Sequence, residues 1–400
     1  MSEERRLTVL CLASYEKGQE FMRECKRLGC RVLLVTLERL READWPRESV
    51  DEFFYMPEDF RLEPLTRGVS YIARTREIER IVPLDDFDVE TAAALREHLR
   101  VPGMGDTTAR HFRDKLAMRM KAREHSILVP EFVHALNHAR IQRFTESVAP
   151  PWVLKPRSEA SAVGISKVES AEKLWPLLEA LGDRQSFYLI EQFIPGDIFH
   201  VDSVVWEREV VFSAVSKYGK PPLEVAHGGG VFLTRTVARR SEDAQALEAL
   251  NRELVRALGL ARGVTHTEFI KGGDGRFYFL ETAARVGGAN IAETVEAATG
   301  INLWREWARV EVAGERGTYE VPPHREDYAG IVISLARQEW PDTSQYDDPE
   351  IVFRLRKRHH VGLLVASPDP ERVESLLQAY VRRFLEDFSA TLPAAERPTS

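Results

Sequence analysis

Over the first hundred residues the apolar positions switch between unbroken runs and a helical period. Leu7 to Ala13 is continuously apolar apart from Thr8, which reads as a buried strand. Glu16 to Leu28 carries Phe21, Cys25 and Leu28 at helical spacing and stops at Gly29, a residue suited to a helix C-terminal cap. Arg31 to Thr36 is a second buried strand. Ile81 to Leu84 is a further short one, ending in Asp85-Asp86 ahead of a helix over Val89 to Leu99. This β-α-β opening predicts a parallel sheet, and acids at the strand ends of such sheets often face the ligand crevice. No G-x-G-x-x-G follows the first strand, so a dinucleotide site is not expected.

Beyond residue 105 the period changes repeatedly. The stretch 106–126 predicts a basic amphipathic helix carrying Lys115, which on a helix alone reads as a solvated charge. Trp152 to Val168 predicts a strand delivering Lys155, a small-residue loop, and a second strand leaving Gly164. Phe187 to Val205 predicts strand, Pro195-Gly196, strand, with Glu191 to Ile194 as a short linker and Asp202 structural. Such a linker can present backbone N–H and C=O to an adenine edge, with Phe193 and Ile194 as apolar walls. Glu209 to Tyr218 reads as the returning strand. The glycine-rich stretch 221–235 reads as irregular, with His227 and Arg235 as its reactive side chains. Helices follow over Asp243 to Leu258, Ala289 to Ala298 and Leu303 to Val312. Three strands (Ala329 to Ala336, Ile351 to Leu355, Gly362 to Ala366) and a helix over Pro370 to Phe388 then predict a small α+β cap.

Val264 to Asn290 carries the densest chemistry. Two alternating runs flank Gly272-Gly273-Asp274-Gly275, which predicts a β-hairpin. An even turn centred on Gly273-Asp274 puts Glu268 opposite Phe279 and Glu281 diagonally across on the same face. An odd turn would put the two acids on opposite faces, because side chains alternate with period two. Two neighbouring carboxylates can hold a divalent cation such as Mg²⁺ alongside substrate phosphates. Arg285, four residues past Glu281, is placed to meet phosphate or a developing oxyanion.

Composition narrows the class. The 400 residues suggest two or three domains, and 44% hydrophobic with 30% charged residues fits a soluble globular protein. The formal net charge of −8 argues against nucleic-acid binding. Cys11, Cys25 and Cys30 are too few and too unevenly spaced for a disulfide framework or zinc site, so they are expected as small buried hydrophobes in a reducing cytoplasm. The N-terminal apolar run suits a strand better than a signal peptide, and no run is long enough to span a membrane.

Taken in order, Lys115, Lys155 with its loop, the EQFIPG linker and the Glu268/Glu281/Arg285 set resemble the ATP-grasp superfamily over about Gly103 to Gly314. HTEF at 266–269 and ETAARVGG at 281–288 look most like carboxylate–amine ligases of the bacterial L-amino acid ligase and carnosine synthase type. Glycinamide ribonucleotide synthetase and the biotin carboxylases are similar members. The resemblance implies an α/β and α+β multidomain fold: a Rossmann-like pre-ATP-grasp domain over 1–110, an ATP-grasp domain of two clamping α+β subdomains over 111–315, and the α+β cap over 316–400. It also implies ATP and Mg²⁺ (or Mn²⁺). Lys115 and Lys155 would contact phosphates, with Gly164 in the phosphate loop, while Glu191, Phe193 and Ile194 line the adenine pocket. Glu268 and Glu281 would bind the metal, Arg285 stabilise the transition state, and His227 help recognise the acid substrate.

Three positions depart from that pattern. Ala283 stands where many members place a third metal ligand, Asn, a loss the amino acid ligases share. The ribose-holding acid would fall near Ile198, leaving Asp197 as a substitute. The phosphate loop is poor in glycine. The implied activity is ATP-dependent amide or peptide bond formation through an acyl phosphate, from small acid and amine substrates, with a homodimer left open. The alternatives are another ATP-grasp reaction, phosphoribosylamine–glycine ligase-like or biotin carboxylase-like, and a degenerate ATP-binding module.

Overall fold

The computed structural model describes residues 6–57, 60–159, 164–221 and 230–390. The apolar runs of the first hundred residues form a parallel sheet of β1 (Thr8–Ala13), β2 (Arg31–Leu37), β3 (Glu52–Met56) and β4 (Arg80–Pro83), in the order β3-β2-β1-β4. Around it lie α1 (Gln19–Arg27), α2 (Leu62–Ala73) and α3 (Val89–Leu99). β1 lies between β2 and β4, so the strand order reverses there and a ligand crevice opens beyond the strand ends. Both strand-end acids, Asp85 and Asp86, are buried. Asp88 accepts the Ser14 N–H at 2.8 Å, and burial pushes its carboxyl up to about 7. The sequence pattern does not predict β3, because all five of its positions are half-buried and it forms the sheet edge. All three cysteines are buried, as expected.

The stretch 106–126 folds as two helices, α4 (Asp106–Arg110) and α5 (Lys115–Glu124), rather than one. Asp114 makes the break: its carboxylate caps α5 by accepting the Leu116 N–H at 2.9 Å and also pairs with Arg157. Lys115 therefore begins a helix, and it is buried rather than solvated.

A second sheet, antiparallel and ordered β5-β8-β6-β7, holds β5 (Phe132–His134), β6 (Trp152–Pro156), β7 (Ser166–Val168) and β8 (Tyr188–Gln192). α6 (His138–Ser147) and α7 (Ala171–Leu181) cover it over a core of Phe144, Trp152, Leu174 and Ile190.

The third sheet has eight strands in the order β13-β12-β9-β10-β11-β14-β16-β15. They are β9 (Gly196–Trp206), β10 (Glu209–Tyr218), β11 (Phe232–Thr236), β12 (Gly263–Gly272), β13 (Phe277–Ala283), β14 (Tyr328–Leu335), β15 (Ile351–Arg354) and β16 (His360–Ser367). The stretch 221–235 was expected to be irregular, yet its last residues form β11. Long-range pairing explains this, since β11 is held between β10 and β14. Through that pairing the C-terminal strands continue the same sheet. Its helices are α8 (Glu242–Leu258), α9 (Ile291–Thr299), α10 (Leu303–Arg316) and α11 (Pro370–Asp387). α1 docks on α10, where Phe21 meets Trp307 edge-on at 5.4 Å and Arg309 donates to Glu24 at 2.7 Å. Among the described residues no helix is long and apolar enough to cross a membrane.

Candidate active site

The β12–β13 hairpin turns through an odd loop, not the even one expected. Gly273, Asp274 and Gly275 separate Gly272 from Arg276, whose C=O accepts the Gly272 N–H at 2.9 Å. Gly275 has φ 77°, the left-handed position that ends such three-residue loops. Phe277, Tyr278 and Phe279 accordingly face Lys271, Ile270 and Phe269. Continued unbroken, that register would set Glu281 against Thr267 and point it away from Glu268. A bulge prevents this. The register shifts between Glu268 and Phe269, leaving Leu280 as the extra residue and pairing Glu268 directly with Glu281. The two acids are direct partners, not diagonal neighbours, and a bulge at a site is a way of re-aiming one side chain.

Cations gather on the acid pair from the second sheet and from α5. Lys115 Nζ lies 2.8 Å from Glu281 Oε2 and donates to the Glu159 carbonyl at 2.7 Å. A cation at a helix N-terminus is mildly unfavourable, and Glu281 offsets that. Arg119, one turn further along α5, is fully buried and pairs with Glu191 Oε2 at 3.0 Å. Lys155, from β6, pairs with Glu191 Oε1. Burial pushes the Lys155 ammonium down, Glu191 pushes it back up, and Arg119 and Lys115 push it down further, leaving it below its ordinary value. Burial likewise raises Glu281, but Lys115, then Lys155 and Arg119, outweigh it and lower the carboxyl to about 2. The three cations thus share one electrostatic field. Arg119 is absent from the sequence reading. Its spacing of four from Lys115 was the available signal, since such residues share a helix face.

Glu268 faces a buried network. Its Oε1 accepts the Tyr218 hydroxyl at 2.8 Å and lies 3.5 Å from His266 Nε2. Burial raises the Tyr218 phenol first, followed by Glu268 and, more weakly, Asp202 and Glu281, which places Tyr218 within the field of both acids. Arg285 reaches toward the N-terminal crevice: Nε lies 3.9 Å from Asp86 Oδ1, and neither atom has a hydrogen-bond partner. Arg113 Nη1 donates to the other Asp86 oxygen at 2.5 Å. Burial opposes the charge on Arg285, yet Asp86, Asp85 and Glu281 hold its guanidinium above the ordinary value.

Residues 148–293 match the family model of the ATP-grasp domain. Over that stretch the chain is similar to the ATP-grasp superfamily. It is 25% identical over 248 residues to an L-arginine-specific L-amino acid ligase of Bacillus subtilis, covering 60% of this chain and 59% of that protein. It is 27% identical over 190 residues to a D-alanine–D-alanine ligase of Neisseria gonorrhoeae, covering 44% and 59%. The chain thus spans about three-fifths of the length of these curated relatives. The solved L-amino acid ligase of Bacillus licheniformis superposes with a TM-score of 0.74 over 96% of this chain and 98% of its own, at 20% identity, which shows a shared fold.

Within this ATP-grasp frame the remaining predicted residues fall as follows. Glu191 keeps its carboxylate for Lys155 and Arg119, and its backbone lies in the sheet between Phe132 of β5 and Val153 of β6. Phe193 stacks under Lys167 Nζ at 4.3 Å, and its N–H donates to the Pro151 carbonyl at 3.0 Å. None of the described hydrogen bonds engages the Ile194 N–H or C=O. Asp197 is exposed and pairs with Lys217 at 2.7 Å. Gly164 has φ 71°, a conformation that suits glycine, at the end of the loop after Lys155. His227 lies outside the described residues.

The acid pair suits a hard divalent cation. Both donors are carboxylates, and each keeps an oxygen, Glu268 Oε2 and Glu281 Oε1, that no described hydrogen bond or ion pair engages.

Proposed function

We propose that this chain is an ATP-dependent carboxylate–amine ligase that joins amino acids, releasing ADP and phosphate. The observation that carries this reading is the convergence of Glu268, Glu281 and the Lys115 ammonium on one face of the hairpin, with Arg285 directed at the neighbouring crevice. The named activities of the two ligases above support it.

ATP enters as a substrate. Lys115, with Lys155 and Arg119 behind it, supplies positive charge for the phosphates. Little covalent chemistry is asked of the protein in phosphoryl transfer, so positioning and charge neutralisation dominate. Glu268 and Glu281 would hold Mg²⁺ or Mn²⁺, which when bound neutralises charge on the transferring phosphoryl group. The acid substrate's carboxylate oxygen attacks the γ-phosphorus, the bond to the β-phosphate oxygen breaks, and ADP leaves an acyl phosphate. A neutral amine then attacks the acyl carbon, the C–O bond to phosphate breaks as the C–N bond forms, and the proton lost from nitrogen leaves with the phosphate or to water. Arg285 faces the oxyanion of that step, while Asp86 and Arg113 hold its surroundings polar at the domain junction.

The test is an ADP-release screen of paired amino acids with ATP and Mg²⁺. Release that requires both an acid and an amine partner is the expected result. ATP binding without ADP release across the whole panel would sink it.

A further inference from the structure

A chain of buried polar groups runs away from Glu268 through the middle of the large sheet, and the chemistry proposed above uses none of it. Thr234 Oγ1 on β11 lies 2.6 Å from His200 Nε2 on β9. His200 Nδ1 lies 2.6 Å from Asp202 Oδ2. The other Asp202 oxygen lies 2.8 Å from His266 Nδ1 on β12, and His266 Nε2 faces Glu268 Oε1 at 3.5 Å. Asp202 has no solvent exposure, and His200 and His266 are also buried.

Two histidines and an aspartate could hold a metal ion of their own, but here their spacings are shorter than those of ligands around a shared ion. Ligands about 2.0–2.2 Å from a common tetrahedral ion stand about 3.3–3.6 Å apart. Here the spacings of 2.6 and 2.8 Å are those of hydrogen bonds. Each Asp202 oxygen serves one imidazole, so the carboxylate is consumed as a bridge. Packing seals the bridge. A side chain at Gly287 would place its Cβ 3.0 Å from His266 Nδ1 and 3.1 Å from Asp202 Oδ1, so the backbone after β13 lies directly over this bond.

We propose that Thr234, His200, Asp202 and His266 form a positioning relay that fixes the rotamer of Glu268 for the divalent cation. The relay spans β12, β9 and β11, with β10 lying between the last two, so Glu268 is set by the interior of the sheet while Glu281 is set by the bulge and by Lys115. Asp202 fixes the His266 ring, and His266 together with Tyr218 holds one Glu268 oxygen, leaving the other for the ion. Partners that orient a metal ligand in this way typically alter metal affinity about 10–100-fold when removed.

This inference rests on the reading of Glu268 as a cation ligand, and one experiment separates the two. Mn²⁺ is titrated into the full chain with ADP present and followed by the loss of the free-ion EPR signal, for Glu268→Gln, Asp202→Asn, His266→Gln and Thr234→Val. Metal-free ADP binding serves as the measure of an intact fold. The relay predicts weaker Mn²⁺ binding by about 10–100-fold in Asp202→Asn and His266→Gln, and a smaller loss in Thr234→Val, with ADP binding unchanged. Weakening in Glu268→Gln with wild-type Mn²⁺ affinity in the relay variants overturns the relay and leaves the cation reading standing. Wild-type affinity in Glu268→Gln removes both. Should Asp202→Asn fail to bind ADP, Thr234→Val, which deletes one hydroxyl group at the far end, decides the matter: unchanged Mn²⁺ affinity there overturns the relay.

Discussion

Glu191 and Glu281 sit among the same cations and have opposite characters. Glu191 gives one oxygen to Lys155 and the other to Arg119, and its side chain is 5% exposed. Glu281 gives one oxygen to Lys115, keeps the other, and is 38% exposed. Both carboxyls are held below their ordinary values, after burial has pushed each of them up. Charge state therefore does not tell the two apart; unspent acceptor capacity does. A carboxylate saturated by two buried cations locks the second sheet to α5. One with an oxygen left over, opposite a second such acid, is built to receive something.

The sharpest way to break this contrast is to remove the unspent acids. Glu268→Ala should abolish ADP formation while the chain stays folded, and Glu281→Gln should do the same. Full turnover in a folded Glu268→Ala protein would end the reading of this hairpin as the catalytic centre. Glu191→Ala should act the other way, chiefly on stability. It strands Lys155 and Arg119 as buried charges, and breaking such a cluster typically costs about 3–5 kcal/mol. Urea unfolding measures it, and a loss below about 1 kcal/mol would mean that Glu191 is not the structural partner described here.

Arg285 lies between these extremes, half-buried and charged, with an Nε that has no hydrogen-bond partner. Arg285→Gln should lower kcat about 10²–10³-fold, the usual cost of one donor to a developing oxyanion, with a smaller change in unfolding free energy. A variant that loses stability and keeps kcat would move Arg285 to the side of Glu191.

Much of this contrast was legible in the residues, for reasons that can be named. Lys155, Glu268, Glu281 and Arg285 carry their spacing in the sequence, and strand alternation is a strict rule. The bulge was not legible. Nothing in FYFLET marks Leu280 as the extra residue, and the odd loop by itself predicts no site. Glu268 and Glu281 meet because two deviations from simple register cancel. The helix break before Lys115 could have been read from Asp114, a good cap, but the basic pattern of 106–126 runs straight through it. The Asp202 network depends on β9 lying between β10 and β12, a pairing that local pattern does not encode. β11 escaped notice because its apolar residues follow a glycine-rich run and its partner β14 lies about a hundred residues on.

The smallest effect expected comes from a third carboxylate, and it sharpens the rule. Glu24 is saturated like Glu191: Oε1 accepts Arg309 Nε at 2.7 Å and Oε2 accepts Arg27 Nε at 2.7 Å. Its cations differ. The Arg27 side chain is 62% exposed and that of Arg309 31%, so water can take over both when the acid is removed. Glu24→Gln should therefore cost about 1 kcal/mol or less, well under the Glu191 loss. Burial raises the Glu24 carboxyl, and Arg27 and Arg309 more than offset this, so its folded value lies below the ordinary 4.5. The unfolded chain then takes up the proton first as pH falls. The contribution of Glu24 is complete above 4.5 and disappears as pH drops through the folded value. Urea midpoints measured from pH 6 downward should thus fall less steeply in Glu24→Gln than in the parent. Equal slopes would show that these exposed partners do not lower the Glu24 carboxyl.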